Sequence, residues 1–145
     1  MSSTATYLNF TNQTEEAFDF YRSVFGWEFE LPIGRFRDLP PSPDSPPLDE
    51  AAGNLIMHIC LPILGGHKLM GTDVPASMRF TMNQGNNVYI SLHPDSHEEA
   101  ERLFSGLMQD GSIELPLQYM FWWAYYGTGR DKYGICWMVN YEGDV

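Results

Sequence analysis

The chain is short of positive charge: eight Lys and Arg stand against 19 Asp and Glu in 145 residues, a formal net charge of −11. No cluster concentrates those few cations, so the surface repels a phosphate backbone, and nucleic acid and anionic membranes are poor partners. Cysteine is nearly absent. Cys60 and Cys136 are the only two, each set in an apolar run, which argues for buried reduced thiols rather than a disulfide or a nucleophile. No apolar run approaches the roughly 20 residues that span a bilayer. "MSSTATYLNF" lacks the basic and apolar stretches of a signal peptide, so the expected location is cytoplasmic. A Gly-x-Gly-x-x-Gly after a strand is missing too, and with it the Rossmann type of cofactor site.

What is present is a folded globule's composition, 43% hydrophobic and 14% aromatic, enough for one domain over residues 1–145 or two small halves sharing a core. Two segments read alike. "YLNFTNQTEEAFDFYRSVFG" (Tyr7 to Gly26) and "YISLHPDSHEEAERLFSGLMQDG" (Tyr89 to Gly111) each open on a strand-like run, pass turn residues and enter a helix at Glu-Glu-Ala. Asn12 with Glu15, and Ser96 with Glu99, have capping-box spacing. Ala17, Phe20, Tyr21 and Val24 in the first, and Ala100, Leu103, Phe104 and Leu107 in the second, recur at helical spacing. Gly26 and Gly111 stand where helices end.

Strand candidates follow each helix: "WEFEL", "LIMHICLPIL" and "HKLMGT" after the first, "SIELPLQ", "FWWAYYG" and "ICWMVN" after the second. The unit is therefore β-α-β-β-β, repeated at about 5–75 and about 88–141, with a turn-rich connection at about 76–87. Residues 39–50 hold five of the ten prolines and read as a surface loop inserted in the first repeat. One helix per four strands covers one sheet face only. The fold expected is α+β: duplicated βαβββ modules forming a curved mixed sheet around a trough, with the helices outside.

This duplication, on the residues quoted and on "YGTGRDKYGICWMVN" above all, resembles the glyoxalase/bleomycin-resistance/dioxygenase superfamily (the vicinal oxygen chelate proteins), and within it the PhnB-like branch. The resemblance implies a homodimer, and in many members a divalent metal held by His, Glu or Gln on the first and last strands of each half. Here the corresponding positions fall near Thr6, Met70, Tyr89 and Met138, none a usual ligand for such a centre, and thioethers favour soft Cu(I). A slip of one residue brings in Tyr7, Leu69, Val88 or Trp137, which is no better. No metal and no other cofactor is expected. Relatives of this branch sometimes carry a quinone-methyltransferase label, which these residues do not support.

Of the four histidines, His93 and His97 in "HPDSH" read as an exposed helix entry with Asp95 and Ser96 as caps, and His67 as exposed after the Gly65-Gly66 turn. His58 is different. In "LIMHICLPIL" strand alternation puts His58, Cys60 and Pro62 on one face, where the imidazole is either a hydrogen-bonded structural group or the acid or base of a reaction.

The stretch "FWWAYYGTGRDKYGICWMVN" packs seven aromatic rings into twenty residues. If the strand alternates, half of them are core and half line the trough. Trp122, Trp123, Tyr125, Tyr126 and Trp137, with Met70, are the candidate contacts to a flat or apolar ligand. Asp131, Lys132 and Gly134 read as a structural hairpin, and Arg130 as an exposed turn residue or a rim contact to an anion. The sequence thus points to a small-molecule-binding protein, with a metal-assisted lyase, isomerase or dioxygenase of the same superfamily as the alternative and a scaffold with a self-filled trough as a third reading.

Overall fold

Eight strands, three α-helices and two short 3-10 helices make up the computed structural model, which describes residues 2–40, 42–44, 48–74 and 80–143. Part of the proline-rich loop (residues 41 and 45–47) and the start of the connection between repeats (residues 75–79) lie outside the described residues. The chain divides into two compact units, Met1–Met82 and Asn83–Val145.

The first unit runs β1 (Thr6–Phe10), α1 (Thr14–Phe25), β2 (Glu30–Arg35), the short α2 (Glu50–Asn54), β3 (Ile56–Pro62) and β4 (Lys68–Asp73). Its sheet has the order β1-β4-β3-β2, with β1 parallel to β4 and the other pairs antiparallel. The second unit runs β5 (Ile90–Leu92), α3 (His97–Leu107), β6 (Ser112–Tyr119), β7 (Ala124–Arg130) and β8 (Cys136–Glu142). Its order is β5-β8-β7-β6, again with one parallel pair, β5 with β8. The duplication read from the sequence is thus a duplication of topology: an α+β fold of two mixed four-stranded sheets.

Each sheet buries one face against its helix. In the first unit Ala17, Phe18, Tyr21, Val24 and Phe25 of α1 are buried with Leu8, Phe10, Ile59, Leu61 and Leu69 of the strands. Phe18 takes the place expected for Phe20, which is half-exposed. Gly71 makes that packing possible, because a Cβ there would sit 2.6 Å from the Phe18 ring. In the second unit Ala100, Leu103, Phe104 and Leu107 are buried as their spacing requires, with Leu92, Trp137 and Val139 of the sheet.

The helix starts differ from each other. Ser96 caps α3 as read, its side chain accepting the Glu99 N–H at 3.0 Å. Asn12 does not cap α1; it turns the chain at φ 62°. The buried Asp73 of β4 does that work instead, accepting the Thr14 N–H (3.1 Å) and hydroxyl (2.8 Å) on one oxygen and the Ile56 N–H (2.8 Å) on the other. One carboxylate so ties the start of α1, the start of β3 and the end of β4 through three charge-assisted hydrogen bonds. Gly26 ends α1 in the left-handed region at φ 79°, as expected. After α3 it is Asp110 that turns left-handed, at φ 59°. Gly111 is required for another reason: a Cβ would collide with the Arg130 carbonyl.

Two strand limits also move. β2 begins at Glu30, where pairing with Cys60 starts, so Trp27 is an exposed link residue rather than a strand residue. β7 begins at Ala124, and Phe121, Trp122 and Trp123 form the tip of the β6–β7 hairpin. There the Met120 N–H donates to the Ala124 carbonyl at 2.8 Å and the Trp123 N–H to the Met120 carbonyl at 3.1 Å. Trp123 takes φ 68°, a left-handed backbone unusual for a bulky residue. Aromatic content alone resembles a strand, and the turn here contains no glycine to announce it.

Candidate functional site

Strand alternation sorts the candidate residues onto two kinds of face. In the second sheet, Cβ atoms at Gly127 and Gly129 would meet Phe104 and Met108 respectively, so odd-numbered residues of β7, and their partners Val139 and Trp137 in β8, face α3. Tyr126, Thr128, Met138 and Asn140 face the other way.

That face carries one cross-strand row of Ser91, Met138, Thr128 and Leu115, and a second of Asn140, Tyr126 and Gln118. The Trp122 ring leans edge-on against Tyr126, with centroids 5.8 Å apart and planes at 71°, and Phe121 meets Trp122 in the same manner at 4.9 Å. Trp122 remains 46% exposed, and Phe121 and Trp123 are 89% and 86% exposed. Asn140 contributes an enclosed Oδ1 to which no described group donates.

Tyr125 and Trp137, expected among the ligand contacts, lie on the helix side instead. Tyr125 packs against both His97 of α3 and Tyr119, at 4.3 and 4.7 Å, those two rings also meeting at 6.0 Å, and its hydroxyl donates to Glu101 at 2.9 Å. Burial and that Glu101 carboxylate push the phenol's pKa up. His97 is therefore part of a ring stack rather than a bare helix entry. Trp137 is wholly buried, and its indole N–H donates to Asp131 at 2.8 Å. Asp131 also accepts the Tyr133 and Ile135 N–H groups, and Gly134 takes φ 93°, so this hairpin is structural, as read.

In the first sheet Tyr7, Met70, Cys60 and Glu30 stand in one row across all four strands. The Glu30 carboxylate meets Lys68 at 3.0 Å. The Lys68 ammonium, then a hydrogen bond from the Cys60 thiol, then the nearby His58 hold Glu30 below the usual carboxylate range. Burial, and then Glu30 itself, push the Cys60 thiol up, so it stays protonated. Both cysteines are free and buried. His58 lies one row further along, opposite Gly34. His67, expected to be exposed, is half-buried, with Nε2 2.9 Å from the Thr6 hydroxyl.

A divalent metal does not fit these donors. Thr6 pairs with Leu69, on the helix side, and Tyr89 precedes β5 with its hydroxyl given to Glu114. The register leaves Tyr7 beside Met70 in one unit and Ser91 beside Met138 in the other. Phenol, hydroxyl and thioether do not make the imidazole and carboxylate set such ions take. Among the described residues no three His, Cys, Asp or Glu converge on a point. No helix there is long and apolar enough to cross a membrane.

Sequence reasoning missed Glu30 and Asn140. The signal for Asn140 was available: in "ICWMVNYE" the alternation that buries Trp137 and Val139 sends Cys136, Met138 and Asn140 to the opposite face.

Residues 2–140 match the family model described as 3-demethylubiquinone-9 3-methyltransferase. The crystal structure of protein PA1353 from Pseudomonas aeruginosa is similar over 99% of this chain and 100% of that one, at 33% identity and a TM-score of 0.82. A putative 3-demethylubiquinone-9 3-methyltransferase, PhnB protein, from Bacillus cereus covers 97% and 99% of the two chains at 25% identity and a TM-score of 0.72. At the level of fold alone, a glyoxylase/bleomycin resistance protein/dioxygenase domain from Frankia sp. EAN1pec matches 99% of this chain and 98% of its own, with 12% identity and a TM-score of 0.65.

Proposed function

The chain belongs to the family described as 3-demethylubiquinone-9 3-methyltransferase, the PhnB-like group of the glyoxalase/bleomycin-resistance fold, and from that premise we propose that it binds a small organic molecule without using a metal. One observation carries this reading. The face of the second sheet turned away from α3 bears the Trp122–Tyr126 ring pair, with Trp122 still half-exposed although it has a ring to pack on. Rings with polar tips beside a thioether (Met138) favour a flat, largely apolar ligand fixed by a few hydrogen bonds.

A methyl-transfer reading draws its support from the family's description alone. Such a reaction needs a site for a methyl-donating cofactor, and neither four-stranded sheet has the strand order of a doubly wound nucleotide fold. The metal-assisted alternative is weakened by the donors described above. Within the first unit, His58, on the sheet face away from α1, is a residue with acid or base capacity. The two free thiols suit a reducing compartment, and the fold resemblance favours a homodimer.

Native mass spectrometry of protein purified without denaturation tests the binding reading. A co-purifying small molecule retained by the wild type and lost in Trp122→Ala supports it. Retention in the variant overturns it.

A further inference from the structure

Asn140 is an unexplained polar group among the described residues of the second unit. Its Oδ1 is enclosed, yet no donor among the described residues reaches it. An enclosed acceptor without a donor has given up its water for nothing, so native folds rarely keep one. The neighbours do not supply the missing donor. Across the ladder stands Tyr126, whose ring is held by Trp122, and beyond it Gln118, whose amide nitrogen donates to the Pro116 carbonyl instead.

We propose that Asn140 selects the ligand of this face, and that the ligand is a flat aromatic molecule carrying a neutral hydrogen-bond donor, a phenolic O–H or a heteroaromatic N–H. This rests on the binding reading above and deepens it. Tyr126 and Trp122 present ring surface, and a turn of the Asn140 amide about its last side-chain torsion moves the enclosed oxygen to that same face, where a planar molecule lying on the rings offers its edge donor. An amide oxygen asks for a donor without asking for a full charge. A site built around an acceptor that is otherwise unpaired discriminates strongly, because an analogue lacking the donor leaves that acceptor unpaired still.

The test uses a matched pair of probes, 2-naphthol and its methyl ether 2-methoxynaphthalene, which share ring surface and differ in the donor. Each is titrated into the full chain and followed by the side-chain amide, indole and backbone N–H signals in two-dimensional NMR. The expected result is binding of the naphthol about five- to tenfold more tightly than the ether, the ratio one neutral hydrogen bond supplies. Shifts are expected at Asn140, Tyr126 and the Trp122 indole. In Asn140→Leu the ratio falls to about one through weaker naphthol binding, with the ether changed by less than about twofold.

Equal binding of both probes by the wild type at these residues, or a preference that survives in Asn140→Leu, overturns the selection by Asn140 and leaves the aromatic face standing. Absence of shifts at Trp122, Tyr126 and Asn140 with either probe overturns the binding reading itself. The wild-type comparison stands whether or not the variant folds.

Discussion

Tyr126 of β7 faces Asn140 of β8 directly across an antiparallel ladder, on the side of the sheet away from α3. One residue earlier on β7, Tyr125 points to the other side and stacks on His97. Two adjacent tyrosines of one strand thus belong to different parts of the protein, one to the candidate site and one to the helix interface.

That division separates two tryptophans by experiment. Trp137→Ala removes a wholly buried ring and the partner of Asp131, so urea unfolding should show a loss of about 3–5 kcal/mol. Trp122→Ala removes a half-exposed ring and should cost under about 1 kcal/mol, while lowering ligand retention. Equal stability losses would contradict the assignment of Trp122 to the site.

Asp73 is the stability centre of the first unit. Asp73→Ala leaves the Thr14 and Ile56 N–H groups without their acceptor, and the expected loss is about 2–4 kcal/mol. Asn12→Gly, at the position the sequence favours for the cap, should cost little by the same measurement, because Asn12 makes no cap and glycine tolerates its left-handed backbone.

Gly71 is held small by Phe18. Gly71→Ala places a Cβ against that ring and should destabilise by about 1–3 kcal/mol in chemical denaturation. Phe18→Leu in the same chain should recover part of the loss, since it removes the clashing ring edge.

The Arg35 guanidinium, which meets both Glu15 oxygens, holds the Glu15 carboxyl below its ordinary range. A lowered folded-state pKa means the stabilisation is present above the ordinary carboxylate range and is lost as pH falls through the folded value. The pair is largely exposed, so its worth is under about 1 kcal/mol. Urea midpoints of wild type and Glu15→Gln should differ at pH 7, and the difference should shrink as pH falls below the ordinary carboxylate range.

Tyr89 behaves in the opposite sense. Its hydroxyl donates to Glu114 at 2.6 Å, and that carboxylate, then burial, pushes its pKa up to about 12. Its contribution is therefore present below the ordinary phenol range and lost as pH rises through about 12. In an ultraviolet titration of phenolate absorbance, Tyr89→Phe should remove a late-titrating component.

Much of the fold was legible because each repeat writes its period plainly. Ala100, Leu103, Phe104 and Leu107 are buried as spaced, and the repeated Glu-Glu-Ala entry announced the shared topology. The site was less legible. "FWWAYYG" looks like one strand, yet the chain turns at Trp123 without a glycine, which shifts where the strand begins and sets Trp122 at a hairpin tip. Trp137 and Tyr125 could be placed only once the register was known, since a step of one residue moves every side chain to the opposite face. Asp73 was invisible as a cap, because it reaches α1 from 59 residues away.

The central claim is that a small molecule binds on the Trp122–Tyr126–Asn140 face without a metal. The most direct measurement is an NMR shift map with a mixture of flat aromatic fragments, on protein stripped by a chelator and verified metal-free. Shifts concentrated at the Trp122 indole, Tyr126, Met138 and the Asn140 side chain are the predicted result. Binding that appears only after a divalent metal is added, or that maps elsewhere, would contradict it.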